Sequence, residues 1–145
     1  NSFITFRLSS GGISGSAADV LVITYPNGGQ TFYTGQTDSI VWESFGGGVG
    51  SVDLYYANEE SDPDSIDMNV ESDWTSIASG ITNVEGENTY AWTPSGLVVT
   101  DSLRLRIISS DGKARDMNGW YIKIRNPAGT AAPRFTTVRP RLVKR

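Results

Sequence analysis

A chain of 145 residues with 38% hydrophobic and 19% charged residues holds one ordinary domain with room for terminal extensions. Its 16 Gly and 6 Pro exclude a collagen-like or proline-rich chain, and no apolar run approaches the roughly 20 residues that span a bilayer. The absence of Cys and His removes thiol nucleophiles, disulfides, Cys/His zinc sites and imidazole acid–base chemistry, while the net charge of −4 hides a steep polarity between the two ends.

Residues 1–103 hold 14 acids and one base, Arg7, a net of −13, whereas residues 104–145 hold 11 bases against Asp111 and Asp116, a net of +9. Such a chain seeks an oppositely charged surface. An acidic body repels a phosphate backbone over the Debye length of about 8 Å, so a protein surface is expected rather than nucleic acid. The start at Asn1 rather than Met points to a removed initiator or leader, or to a piece of a longer chain.

In chain order, Phe3 to Leu8 alternates, with Ile4, Phe6 and Leu8 on one face and Phe3, Thr5 and Arg7 on the other, which predicts an amphipathic strand. The Gly/Ser-rich residues Ser9 to Ala18 form a flexible tether. Strands are then expected at Val20 to Tyr25, Gln30 to Thr34, Ser39 to Glu43 and Val52 to Tyr56, separated by Pro26-Asn27-Gly28-Gly29, Gly35 and Gly46-Gly47-Gly48. The acidic segment from Glu59 to Asp73 lacks periodicity and reads as a long loop before short strands at Trp74 to Ala78 and Thr89 to Trp92.

Next, Leu103, Leu105 and Ile107 alternate with Arg104, Arg106 and Ile108. After Ser109-Ser110-Asp111-Gly112, Trp120, Ile122 and Ile124 alternate with Tyr121, Lys123 and Arg125, predicting two strands with solvated basic faces. No stretch carries a helical period. The expected fold is all-β, an Ig-like or fibronectin-III-like antiparallel β-sandwich of seven to eight strands over residues 20–126, with extended arms. Residues 1–19 form the N-terminal strand and linker, and residues 127–145 the basic C-terminal arm.

The ordered motifs Thr24-Tyr25-Pro26-Asn27-Gly28-Gly29-Gln30-Thr31-Phe32, Ser39-Ile40-Val41-Trp42, Tyr90-Ala91-Trp92-Thr93-Pro94 and Leu103 to Asp111 carry a resemblance. Over Val20 to Ile124 the chain resembles the Ig-like domain at the N-terminus of yeast cell-wall β-glucan synthesis proteins. This module is also called the Ser/Thr-rich GPI-anchored membrane protein domain and is widespread in microbial surface and secreted proteins. The resemblance implies a spacer or binding unit without catalytic residues.

Several chemistries compete for the remaining residues. Paired carboxylates suit a glycosidase only at fixed separations, and seven of the 16 acids fall in one flexible loop, so no catalytic residues and no cofactor are expected. Asp62, Asp64 and Asp67 are weak Ca²⁺ candidates, because Ile66 replaces a ligand and Asp67 the glycine of an EF-hand loop. Tyr33, Tyr55, Trp74 and Tyr121 lie off the expected core faces and are candidates for a sugar-binding platform, while Trp42, Trp92 and Trp120 are expected in the core.

The leading expectation is a non-enzymatic assembly subunit of an extracellular filament, cell-surface layer or virion surface. Its partners are copies of itself or a lattice protein. Ile4, Phe6 and Leu8 would add as a strand to a sheet edge, and Arg134, Phe135, Val138, Arg139, Arg141 and Leu142 would dock on an acidic neighbour. A carbohydrate-binding module is the alternative.

Overall fold

A computed structural model describes residues 18–59 and 68–128, which form a two-layer β-sandwich. The strands are β1 (Val20–Tyr25), β2 (Thr31–Tyr33), β3 (Asp38–Phe45), β4 (Ser51–Asn58), β5 (Thr75–Thr82), β6 (Gly86–Trp92), β7 (Thr100–Ser109), β8 (Arg115–Met117) and β9 (Ile122–Arg125), with one 3₁₀ turn at Glu71–Asp73. One sheet has the order β1-β3-β6, and the other runs β2-β9-β7-β4-β5 with β8 also paired to β7. The chain changes layer between β1 and β2, β2 and β3, β3 and β4, β5 and β6, and β6 and β7, in the manner of immunoglobulin and fibronectin type III sandwiches.

The inward residues are those that the period-two pattern marks. Ile40, Trp42, Val52, Leu54, Leu103, Leu105, Ile107, Ile122 and Ile124 are buried between the sheets, together with Leu21, Ile23, Phe32 and Trp92. Trp42 is wholly inaccessible, and its indole Nε1–H donates to Asn83 Oδ1 at 2.7 Å. The Asn83 amide in turn donates to Ser44 Oγ at 2.8 Å and to the Val49 carbonyl at 2.9 Å. A buried indole thus keeps its hydrogen bond, which an apolar pocket alone would not supply.

The structure departs from the expected sandwich in three respects. Nine strands are present among the described residues, and β2 pairs with β9 in parallel, so the sheets are not wholly antiparallel. The extra strand β8 is only three residues long and half-buried throughout, too short for an alternating signal. Trp120, expected in the core, stands 63% exposed, because the strand that was to carry it is broken. Leu103 pairs with Ile122 but Arg106 pairs with Met117, so two extra residues intervene between β8 and β9. An offset of two keeps the alternation of β8 and β9 in phase, but it takes residues 118–121 out of the ladder, and Trp120 with them.

Removing the central indole tests the register. Trp42→Ala is expected to cost about 3–5 kcal/mol through lost transfer energy, the residual cavity and the orphaned Asn83 amide, as read from chemical denaturation.

Candidate interaction surfaces

The outer face of the larger sheet begins with the outward residues of β7 and β4. Arg106 lies opposite Tyr55 in register, and its guanidinium carbon sits 4.2 Å from the Tyr55 ring centroid and 5.0 Å from that of Trp74. Its NH1 donates to the Met68 carbonyl at 2.9 Å and its NH2 to Glu71 Oε1 at 3.1 Å. The segment from Met68 to Trp74 therefore folds back over the sheet and leaves Arg106 with no accessible surface. A delocalised, weakly hydrated guanidinium tolerates this position because two aromatic faces and two acceptors replace water.

These contacts correct three sequence expectations. Arg106 does not belong to a solvated basic face, Trp74 is 7% exposed rather than a platform, and the ring of Tyr55 is covered by the guanidinium. No local pattern announces the cluster, since its members are brought together by folding across 32 to 51 positions of sequence. Tyr33 remains exposed on β2, and Tyr121 is half-buried, with its hydroxyl donating to Glu59 and Arg104 lying 5.4 Å from its ring centroid.

Trp120 is the aromatic that sequence reasoning misplaced, and its backbone is firmly held. Trp120 N–H donates to the Asn27 carbonyl, Gly119 N–H to Asn27 Oδ1 and Asn118 Nδ2 to the Trp120 carbonyl, at 2.8 to 3.0 Å. Gly28 has a φ of 153°, and a Cβ there would come within 2.6 Å of Trp120 Cβ. The Trp120 ring packs edge-on against Tyr121 at 4.9 Å. The Asn118-Gly119 dipeptide was the available warning, since that pair favours a turn within what otherwise reads as a strand.

The outer face of the three-stranded sheet is different. Val20 lies opposite Phe45, Val22 opposite Glu43, and Glu43 opposite Glu87. Val20, Val22 and Phe45 are 43%, 38% and 47% exposed. Neither Glu43 nor Glu87 forms an ion pair among the described residues, where the two bridges are Arg106–Glu71 and Arg125–Asp101.

The proposed arm residues Ile4, Phe6, Leu8, Arg134, Phe135, Val138, Arg139, Arg141 and Leu142 lie outside the described residues, as do Asp62, Asp64 and Asp67. Among the described residues, no group of three or more acids is arranged to hold a metal ion. No helix there is long and apolar enough to cross a membrane.

No family model matches the chain. No curated protein matches it either. Among solved structures it is similar to fibronectin(III)-like modules of Clostridium thermocellum CbhA, at 17% identity over 74% of this chain and 46% of that one, with a TM-score of 0.41. The chain thus spans just under half the length of that structure, and the fold assignment rests on the strand order described above.

The Arg106 cluster separates two sources of stability. Glu71 is largely exposed, so its ion pair is screened, and Glu71→Ala is expected to cost less than about 1 kcal/mol. Arg106→Ala removes the packed stem, both ring contacts and the Met68 anchor, and is expected to cost about 2–4 kcal/mol by chemical denaturation.

Proposed function

We propose that this chain is a non-enzymatic structural subunit that joins protein neighbours through its terminal segments. The neighbours are copies of itself or a lattice protein, in an extracellular filament, a cell-surface layer or a virion surface. The observation that carries the reading is an imbalance of partnered charge. All four described arginines are engaged: Arg104 with Asn118, Arg106 with Met68 and Glu71, Arg115 with Asn69 and Gly112, and Arg125 with Thr100 and Asp101.

The described residues hold 12 acids against six bases, and the largest group of bases outside these contacts is the five beyond Pro127, available to an acidic neighbour. The strand pattern of Phe3 to Leu8 suits addition to a free sheet edge, and the surface-protein module that the motifs resemble supports a place outside the cell.

Association through exposed charge weakens as salt rises, because such pairs are screened within a Debye length. Sedimentation velocity at low and high salt is therefore expected to show partial dissociation, with apolar anchors at Phe135, Val138 and Leu142 retaining part of the affinity. Replacing Arg134, Arg139 and Arg141 together by Ser is expected to reproduce most of the salt effect. Identical sedimentation of both proteins at both salt concentrations would refute the reading.

A carbohydrate-binding module is the second reading, favoured by Trp120 alone: a large ring exposed on a hydrogen-bonded backbone presents a flat apolar platform at small conformational cost. Glycan-array binding that is lost in Trp120→Ala would establish it, and an array without signal would remove it.

A further inference from the structure

We propose that the outer face of the three-stranded sheet receives the basic C-terminal segment of a second copy of this chain. The inference rests on the assembly reading above and names the surface that reading requires. Glu43 and Glu87 are directly opposite each other in neighbouring strands, where Cβ atoms stand about 4.5–5.5 Å apart and like charges repel. Neither carboxylate has an ion-pair partner among the described residues. Beside them, Val20, Val22 and Phe45 leave apolar surface open to solvent.

The face therefore asks for a partner that mixes positive charge with apolar side chains. Residues 134–145 have that composition, with Arg134, Arg139 and Arg141 among Phe135, Val138 and Leu142. A planar guanidinium placed between two carboxylates neutralises both and forms directional hydrogen bonds with either. The adjacent apolar anchors gain burial against the valines and Phe45.

A second copy is the source because of where the described chain ends. The chain leaves the larger sheet at the end of β9, and the acidic face lies on the far side of the sandwich, about 10 Å away through the core plus the outer side chains, so the segment meets its own acidic face only by rounding an edge of the sandwich. Copies stacked in one orientation place the larger sheet of one subunit toward the smaller sheet of the next. Seventeen residues reach up to about 60 Å when extended, ample to cross such a junction. The contact is heterologous, so each copy donates one segment and receives another, which propagates as a filament or closes as a ring.

Charge reversal on the full chain tests the pairing by sedimentation velocity. Glu43→Lys with Glu87→Lys is expected to weaken association at least about tenfold, Arg139→Glu with Arg141→Glu likewise, and an equimolar mixture of the two variants to recover association, because both mixed junctions then join opposite charges, one as in the wild type and one with the signs exchanged. Association unchanged by the Glu reversals, while the Arg reversals abolish it, would overturn the face and leave the assembly reading intact. A wild type that is monomeric at every concentration would overturn both.

Should the Glu variants misfold, cysteine pairing keeps the question open to decision, since the chain has no Cys. Val22→Cys mixed with Phe135→Cys and oxidised is expected to give a disulfide-linked dimer containing one of each. Absence of that species, or exclusive intrachain closure when both substitutions share one chain, would overturn docking by a second copy.

Discussion

The side chain of Asn118 sits where a strand has been interrupted, and the layout of the larger sheet's edge depends on it. Between β8 and β9 the chain carries two more residues than β7 can pair, and the wholly buried Asn118 fills the gap. Its backbone N–H donates to the Leu105 carbonyl at 3.1 Å, and its Oδ1 accepts the Leu105 N–H at 3.0 Å, so one residue serves as both backbone and side-chain partner to β7. Arg104 NH2 donates to its carbonyl at 2.6 Å and its Nδ2 donates to Trp120. Buried amides are tolerable only when their polar atoms are satisfied in this way. Trp120 is left outside the strands and exposed, while on the other side of Asn118 the regular β7–β8 register sets Asp116 opposite Ile107 and within reach of β1.

Arg106 organises the opposite half of that sheet by a different means. Its pairing with Glu71 is the feature most easily noticed, yet Glu71 is exposed and such pairs contribute little. The weight falls on the two ring faces and the Met68 carbonyl, which hold the segment after the acidic stretch flat against the sheet. The guanidinium Nε–H finds no acceptor among the described residues, so the cluster forgoes one hydrogen bond in exchange for packing. Tyr55 and Trp74 are thereby committed to the fold and withdrawn from any sugar-binding role.

Much of the sandwich is legible from alternation alone. Val52 and Leu54, or Leu103 and Leu105, have polar or amphipathic neighbours on both sides in sequence and buried faces in the structure. Such patterns are local, so a single sequence carries them. What alternation cannot carry is a break in the ladder: Trp120 shares its parity with Ile122 and Ile124, but it falls in the interruption between β8 and β9, where the chain carries two more residues than β7 can pair. Nor can it carry Arg106, whose side chain alternates as a surface residue should and is then covered by a segment 32 or more positions away. The carboxylates of Glu43 and Glu87 fall between these cases. Each reads as a solvated strand residue, and only the β3–β6 register reveals that they stand side by side.

The free edges of the two sheets limit how the proposed assembly can form. β2 has three residues, and β5 pairs with β4 through two register shifts, so neither offers a long regular template. On β1 the Ile23 N–H is capped by the Asp116 carboxylate at 2.8 Å, and burial pushes the Asp116 pKa up, a cost that a carboxyl bears for closing that edge. β6 alone combines seven residues with unbroken register to its neighbour and no described strand on its other side. In the proposed assembly, β6 would be the edge open to backbone pairing by a segment such as Phe3 to Leu8, and its outward Glu87 also forms part of the acidic face. A strand seated there and a basic segment laid across the same sheet would compete for one carboxylate, so the two arms are not independent: Arg7 of an added strand and an arginine of the C-terminal segment would each be drawn to Glu87, and occupancy by one lowers the charge available to the other.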